Sequence, residues 1–123
     1  VRDDVARRPS ADLLETVYSM QRRQEWMREY LIDAGHEGLA FVGSVDHAEG
    51  TIDVARDIRQ VLGFAEEWAA GSPTWTDALR RLRRAAEDAG ILVVASGVVG
   101  NNTHRSLDVD EFRGFVLVDR YAP

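Results

Sequence analysis

The sequence contains no cysteine and no lysine, only three prolines and three histidines, and no apolar run of the roughly 18 residues that a membrane-spanning helix needs. Each absence excludes something. Without cysteine there are no disulfides, no thiolate metal ligands and no Cys nucleophile, and the redox compartment stays open. Without lysine all 15 basic residues are arginine, a bias that fits a GC-rich genome better than any physical requirement. No signal-peptide h-region is present, so a soluble cytoplasmic protein with no membrane association is the expectation. The 21 acidic residues leave a net charge of -6, the wrong sign for a surface that grips phosphates, and direct nucleic-acid binding is not expected. At 123 residues the chain has the size of one domain.

What is present is periodic. The first eight residues, VRDDVARR, are charged and without apolar rhythm; they read as a linker or frayed end of a piece cut from something longer. Pro9 and Ser10 then signal a helix start. Leu13, Val17, Met20, Gln24, Met27 and Leu31 recur at spacings of three and four, with Leu14, Tyr18 and Tyr30 widening the stripe, which predicts a long helix within 9–35 that ends at Gly35. A loop over 36–50 follows. The region 51–89 predicts two further helices. Ile52, Ala55, Ile58, Val61 and Leu62 mark the first, closed by Gly63; Trp75, Ala78, Leu79, Leu82, Ala85, Ala86 and Ala89 line the second, between an N-cap at Thr74 with Asp77 in a capping-box position and a stop at Gly90. Arg80, Arg81, Arg83 and Arg84 on that helix read as a solvated face, since the chain is acidic and no aromatics interleave them.

After Gly90 the period changes. Ile91–Val94, largely β-branched, and Phe112–Val118, apolar at Phe112, Phe115, Val116, Leu117 and Val118, are short and predict two strands, 91–96 and 112–119, paired antiparallel as a hairpin-like region 90–123. The fold expected is α+β, a single domain over 9–123 with three helices packed on that small sheet. Between the strands lies the densest polar stretch, Asn101, Asn102, Thr103, His104 and Arg105, then Asp108, Asp110 and Glu111. A histidine among carboxylates serves as a general base, a metal ligand or a substrate contact. A metal needs at least three converging ligands, and His36 and His47 belong to another loop, so no metal site and no cofactor are expected in this chain. Ser96 and Ser106 lack the strand-turn-helix setting of a nucleophile, and no catalytic residue is assigned. Gly-Asn-Asn is equally well explained as turn chemistry, and the acidic residues as strand-edge charges or partners of Arg105 and Arg113.

The succession RPSADLLETVYSMQRRQEWMREYL, TWTDALRRLRRAAEDAGILVV and GVVGNNTHRSLDVDEFRGFVLVD, closing on YAP, resembles the region found in ImmA/IrrE family metallo-endopeptidases. It is most similar to bacterial members in which an XRE-type helix-turn-helix precedes the peptidase. The resemblance spans Pro9 to Pro123; VGNNTHR with EFRGF is its most specific part, and RPSADLLETVYSMQRRQEW resembles the connector between the two domains. In that family the chain continues past the equivalent of Tyr121–Pro123 into a strand and a helix bearing His-Glu-x-x-His, whose histidines bind zinc while the Glu activates water. Here the one His-Glu pair, His36-Glu37, has no histidine three residues on. The resemblance therefore implies the amino-terminal, non-catalytic part of a zinc-dependent regulatory peptidase, with zinc and a protein or peptide substrate belonging to the parent protein. It also implies a substrate cleft along 97–111, contacted by Asn101, Asn102, His104 and Arg105. The alternative is a non-enzymatic interaction, dimerisation or sensor module of a transcriptional regulator, with Trp26, Met27 and Tyr30 of the first helix at the contact and a homodimer as the assembly.

Overall fold

The computed structural model describes residues 8–46 and 48–123; the expected linker, save Arg8, and His47 lie outside them. Helix α1, Ala11–Asp33, starts where Ser10 Oγ accepts the Leu13 N–H at 3.1 Å. It stops where Gly35 adopts φ +78°. There the Gly35 and His36 N–H groups return to the Ile32 and Leu31 carbonyls, which a residue with a Cβ would do only under strain. Helix α2 is Thr51–Val61 and helix α3 is Trp75–Asp88. At α3 the short Asp77 side chain accepts from the Thr74 hydroxyl at 2.7 Å while that hydroxyl accepts the Asp77 N–H, a variant of the reciprocal box.

The architecture is α+β, with three helices and a two-stranded antiparallel sheet. The strands are not the apolar runs that sequence rhythm predicts. The ladder is formed by β1, Val98–Val99, and β2, Asn102–Ser106, within the polar insert. Gly100, at φ +58°, and Asn101 make a two-residue turn between Val99 and Asn102; a positive φ at the first central position only is the sign pattern of a type II′ hairpin. So tight a return closes a far shorter loop than a pairing of 91–96 with 112–119 would, and loop-closure entropy favours it.

The apolar runs are tied down singly instead. The Leu92 N–H donates to Pro123 O and the Leu39 N–H to Arg120 O, each at 2.7 Å. Among the described residues no N–H from Arg113 to Val118 reaches a backbone carbonyl. From Val116 to Asp119 burial alternates: Leu117 and Asp119 are half-buried, while Val116 and Val118 are 83% and 80% exposed. This stretch has the side-chain period of a strand and lacks a strand's partner.

The hairpin packs against α1, and Val99 and Ala122 are the fully buried apolar residues among those described. The helical stripes are only partly covered: Ile52, Ile58, Trp75 and Leu79, expected on inner faces, are exposed. Gln24 explains itself within the apolar stripe of α1. Its amide nitrogen donates to the Leu117 carbonyl at 3.1 Å and to the Ala122 carbonyl at 2.9 Å, fastening the C-terminal segment to the helix. One turn on, Arg28 pairs with Asp119 at 3.3 Å, and Asp119 Oδ1 accepts the N–H groups of Tyr121 and Ala122. Gln24→Ala leaves two carbonyls without their donor and is expected to lower unfolding stability by about 1–3 kcal/mol in urea titration, whereas Gln21→Ala, on exposed surface, changes it by less than about 0.5 kcal/mol.

Candidate functional site

The candidate site is the hairpin and the loop that follows it. Val98 pairs with Ser106 but Val99 pairs with Asn102, so Thr103, His104 and Arg105 have no counterparts on β1. A bulge of this kind bends its strand and re-aims the side chains it carries. The bulge is braced inside by Asn102, whose Oδ1 accepts the His104 N–H at 3.0 Å. Asn101 sits on the turn, and Asn101, Asn102, Thr103 and His104 are all exposed. The left-handed position is taken by Gly100, and neither asparagine has a positive φ.

Arg105 parts company with this group. Its side chain turns toward α1, where Nε donates to Asp12 Oδ1 at 3.2 Å and Nη2 donates to Asp12 Oδ1 and, at 2.7 Å, to Glu15 Oε2. Bonds to Glu15 first and Asp12 second raise the guanidinium pKa above its already high ordinary value, so the charge is permanent. Asn101, Asn102 and His104 thus share one exposed tip, while Arg105 is committed to holding that tip against the helix.

Sequence reasoning missed the carboxylates that receive Arg105. It considered Asp108, Asp110 and Glu111; none of them does so. Asp108 organises its own turn, accepting the Asp110 N–H at its side chain and the Glu111 and Phe112 N–H groups at its carbonyl. Glu111 goes to the start of α1, where Oε1 accepts the Ser10 N–H at 2.6 Å and Oε2 accepts the Ser10 hydroxyl at 2.7 Å. In a local capping box the residue three after the N-cap does this, but here that residue is Leu13, which cannot. A carboxylate 101 residues away supplies the missing acceptor. The signal available in the sequence was that orphaned N-cap N–H, although it could not name its partner.

Three of the α3 arginines are likewise engaged within the chain. Arg80 pairs with Asp77, Arg83 with Glu87, and Arg81 donates to the Trp68 carbonyl and Ser72 Oγ with its guanidinium 6.0 Å from the Trp68 ring centroid. Among the described residues no three His, Asp or Glu side chains converge to hold a metal ion. No described helix is long and apolar enough to cross a membrane.

Comparison with known proteins returns nothing to set beside this geometry: no family model, no curated protein and no solved structure matches the chain.

The tether makes a direct expectation. Arg105→Ala should raise hydrogen–deuterium exchange across 98–107 while α3 keeps its protection, and Glu111→Ala should cost about 1 kcal/mol of stability, the usual scale of a lost helix cap. Unchanged exchange at 98–107 in Arg105→Ala would mean that the ion pairs do not hold the hairpin.

Proposed function

We propose that this chain is the non-catalytic, amino-terminal part of a zinc-dependent regulatory metallopeptidase of the ImmA/IrrE type, working in the cytoplasm within a DNA-binding regulator. Its task is to hold the hairpin tip as one wall of the cleft that receives a protein or peptide substrate. The observation that carries the reading is the half-built sheet. Residues 113–118 have N–H groups that reach no backbone carbonyl, and over 116–119 burial alternates with Val116 and Val118 exposed, a pattern that fits a strand whose neighbour is supplied by another segment. The resemblance of VGNNTHR and EFRGF supplies the family. Zinc and the water-activating Glu are assigned to the parent protein, as the resemblance implies.

Within the reading, His104, Asn101 and Asn102 are the residues free to meet substrate, being exposed on the bulge and the turn. Arg105 acts through them as a positioning residue, because its hydrogen bonds go to Asp12 and Glu15. A second, non-enzymatic reading as an interaction module is favoured by one observation, the exposed aromatic side chains of Tyr18, Trp26 and Tyr30 on α1. Met27, beside them on the helix, is half-buried.

The test begins with the coding sequence after the Pro123 codon, where the peptidase reading requires a His-Glu-x-x-His helix. In the polypeptide that includes it, His104→Ala should lower peptide cleavage at least about tenfold with one zinc still bound and the circular dichroism unchanged. No such motif, or full cleavage by the variant, removes the peptidase role.

A further inference from the structure

Helix α2 does not close fully on its neighbours, and an apolar hollow of about 150 Å³ is left beside it. Its walls are Phe41 and Val45 from the loop before α2, Ile58 and Val61 from α2 itself, and Ala86 and Ile91 at the end of α3. The loop is held in place by its own backbone. The Leu39 N–H is bonded to the Arg120 carbonyl, and the Val42 and Ser44 N–H groups return to the Leu39 and Phe41 carbonyls. Ile58 and Val61 therefore stay 53% and 41% exposed although they belong to the apolar stripe of α2. An apolar cavity near this volume stays dry when empty and accepts a molecule about the size of benzene.

The polar groups at the rim select among such molecules. The Ser44 hydroxyl is already used, donating to the Phe41 carbonyl at 2.7 Å. Asp57 also lines the hollow, is exposed, and among the described residues takes part in no ion pair, whereas Asp53 one turn earlier is held by Arg56. No basic side chain lines the hollow, and Arg59 lies on the opposite flank of α2 from Asp57. The chain as a whole carries a net charge of -6, which draws cations toward it. A ligand with an apolar body and one positive end satisfies both the walls and the rim. A carboxylate of the same shape meets a like charge there.

We propose that the hollow between α2 and the end of α3 is a binding site for a small hydrophobic ammonium compound, a primary amine bearing one aromatic ring or a branched alkyl group of similar size. The ring lies among Phe41, Ile58 and Ile91, and the ammonium stands at Asp57. Occupancy covers Ile58 and Val61 and fastens α2 to the loop and to α3, so the ligand stabilises the fold by mass action. The site shares no residue with the hairpin tip and does not depend on whether the parent protein is a peptidase.

Titrating benzylammonium chloride into the isotope-labelled chain at neutral pH tests it by NMR, with benzyl alcohol and benzoate as the neutral and anionic counterparts. Saturable amide shifts should appear over 41–45 and 58–62 and at Ala86 and Ile91, with a Kd of about 1 mM, the scale expected for so small a ligand. Benzyl alcohol should shift the same residues and bind about threefold more weakly, the strength of one exposed ion pair, and benzoate should shift none of them. Asp57→Asn should bring benzylammonium to the benzyl alcohol affinity and leave benzyl alcohol unchanged. Ala86→Met, which fills the hollow, should abolish binding of both. Because Asp57 is exposed, its variant decides the matter even where Ala86→Met disturbs the packing. The proposal is overturned if no saturable shift appears up to about twentyfold above that Kd, if benzyl alcohol binds the wild type as tightly as benzylammonium, or if the preference survives Asp57→Asn. It is equally overturned if the same residues shift on raising the protein concentration alone, which would mean that another copy fills the hollow.

Discussion

The docking of the C-terminal segment onto one side of α1 is the constraint on which the remaining structure depends. Gln24 accomplishes the central part of it by donating both amide hydrogens to backbone carbonyls five residues apart, at Leu117 and Ala122. A glutamine on an apolar helix face would be costly if its amide were left dry, and it is stabilising here because the segment opposite has carbonyls without ladder partners. Arg28 with Asp119, and Ser10, Asp12 and Glu15 with Glu111 and Arg105, repeat the device along the helix. The helix is a spine to which the β-rich half is fastened by directional polar contacts more than by a deep core.

That choice has consequences for stability and for association. With Val99 and Ala122 the fully buried apolar residues among those described, hydrophobic burial contributes less than in a compact domain of this length. Polar tethers select one arrangement but each contributes little net free energy in water. A structure of this kind retains apolar surface at several places: the ridge on α1, the outer faces of Val116 and Val118, and the ends of α2 and α3 at Ile52 and Trp75. Covering such surface is the simplest way for the chain to gain stability, and it unites the two functional readings, which differ in what does the covering.

Local signals were legible in the sequence where the physics is local. All three helices begin and end within a residue or two of their expected positions, because Ser10 and Thr74 cap through their own side chains and Gly35, Gly63 and Gly90 take the left-handed turn that ends a helix. The strands were misplaced because apolar β-branched composition reports that a segment fits a pleated surface and says nothing about which neighbour completes it. Val93–Val94 and Val116–Val118 have that composition and no ladder, whereas Asn102–Ser106, polar and unpromising, forms one because Gly100 turns the chain tightly just before it. Of the candidate site, Asn101, Asn102 and His104 lie exposed together at the hairpin tip, as their proximity in sequence implies, whereas the side chain of Arg105 turns to Asp12 and Glu15.

By itself the sequence determined the α+β class, the three helices and their caps, the acid balance, and the place where polar chemistry gathers. All of these follow from contacts between residues close in the chain or from composition summed over it. The tertiary structure alone decided that Glu111 completes the cap of α1, that Arg105 faces Asp12 and Glu15, and that the ridge from Tyr18 to Tyr30 remains uncovered. Each of those is a long-range pairing or the lack of one. A side chain's type limits the partners it accepts, and only the folded path of the chain brings one of them within reach.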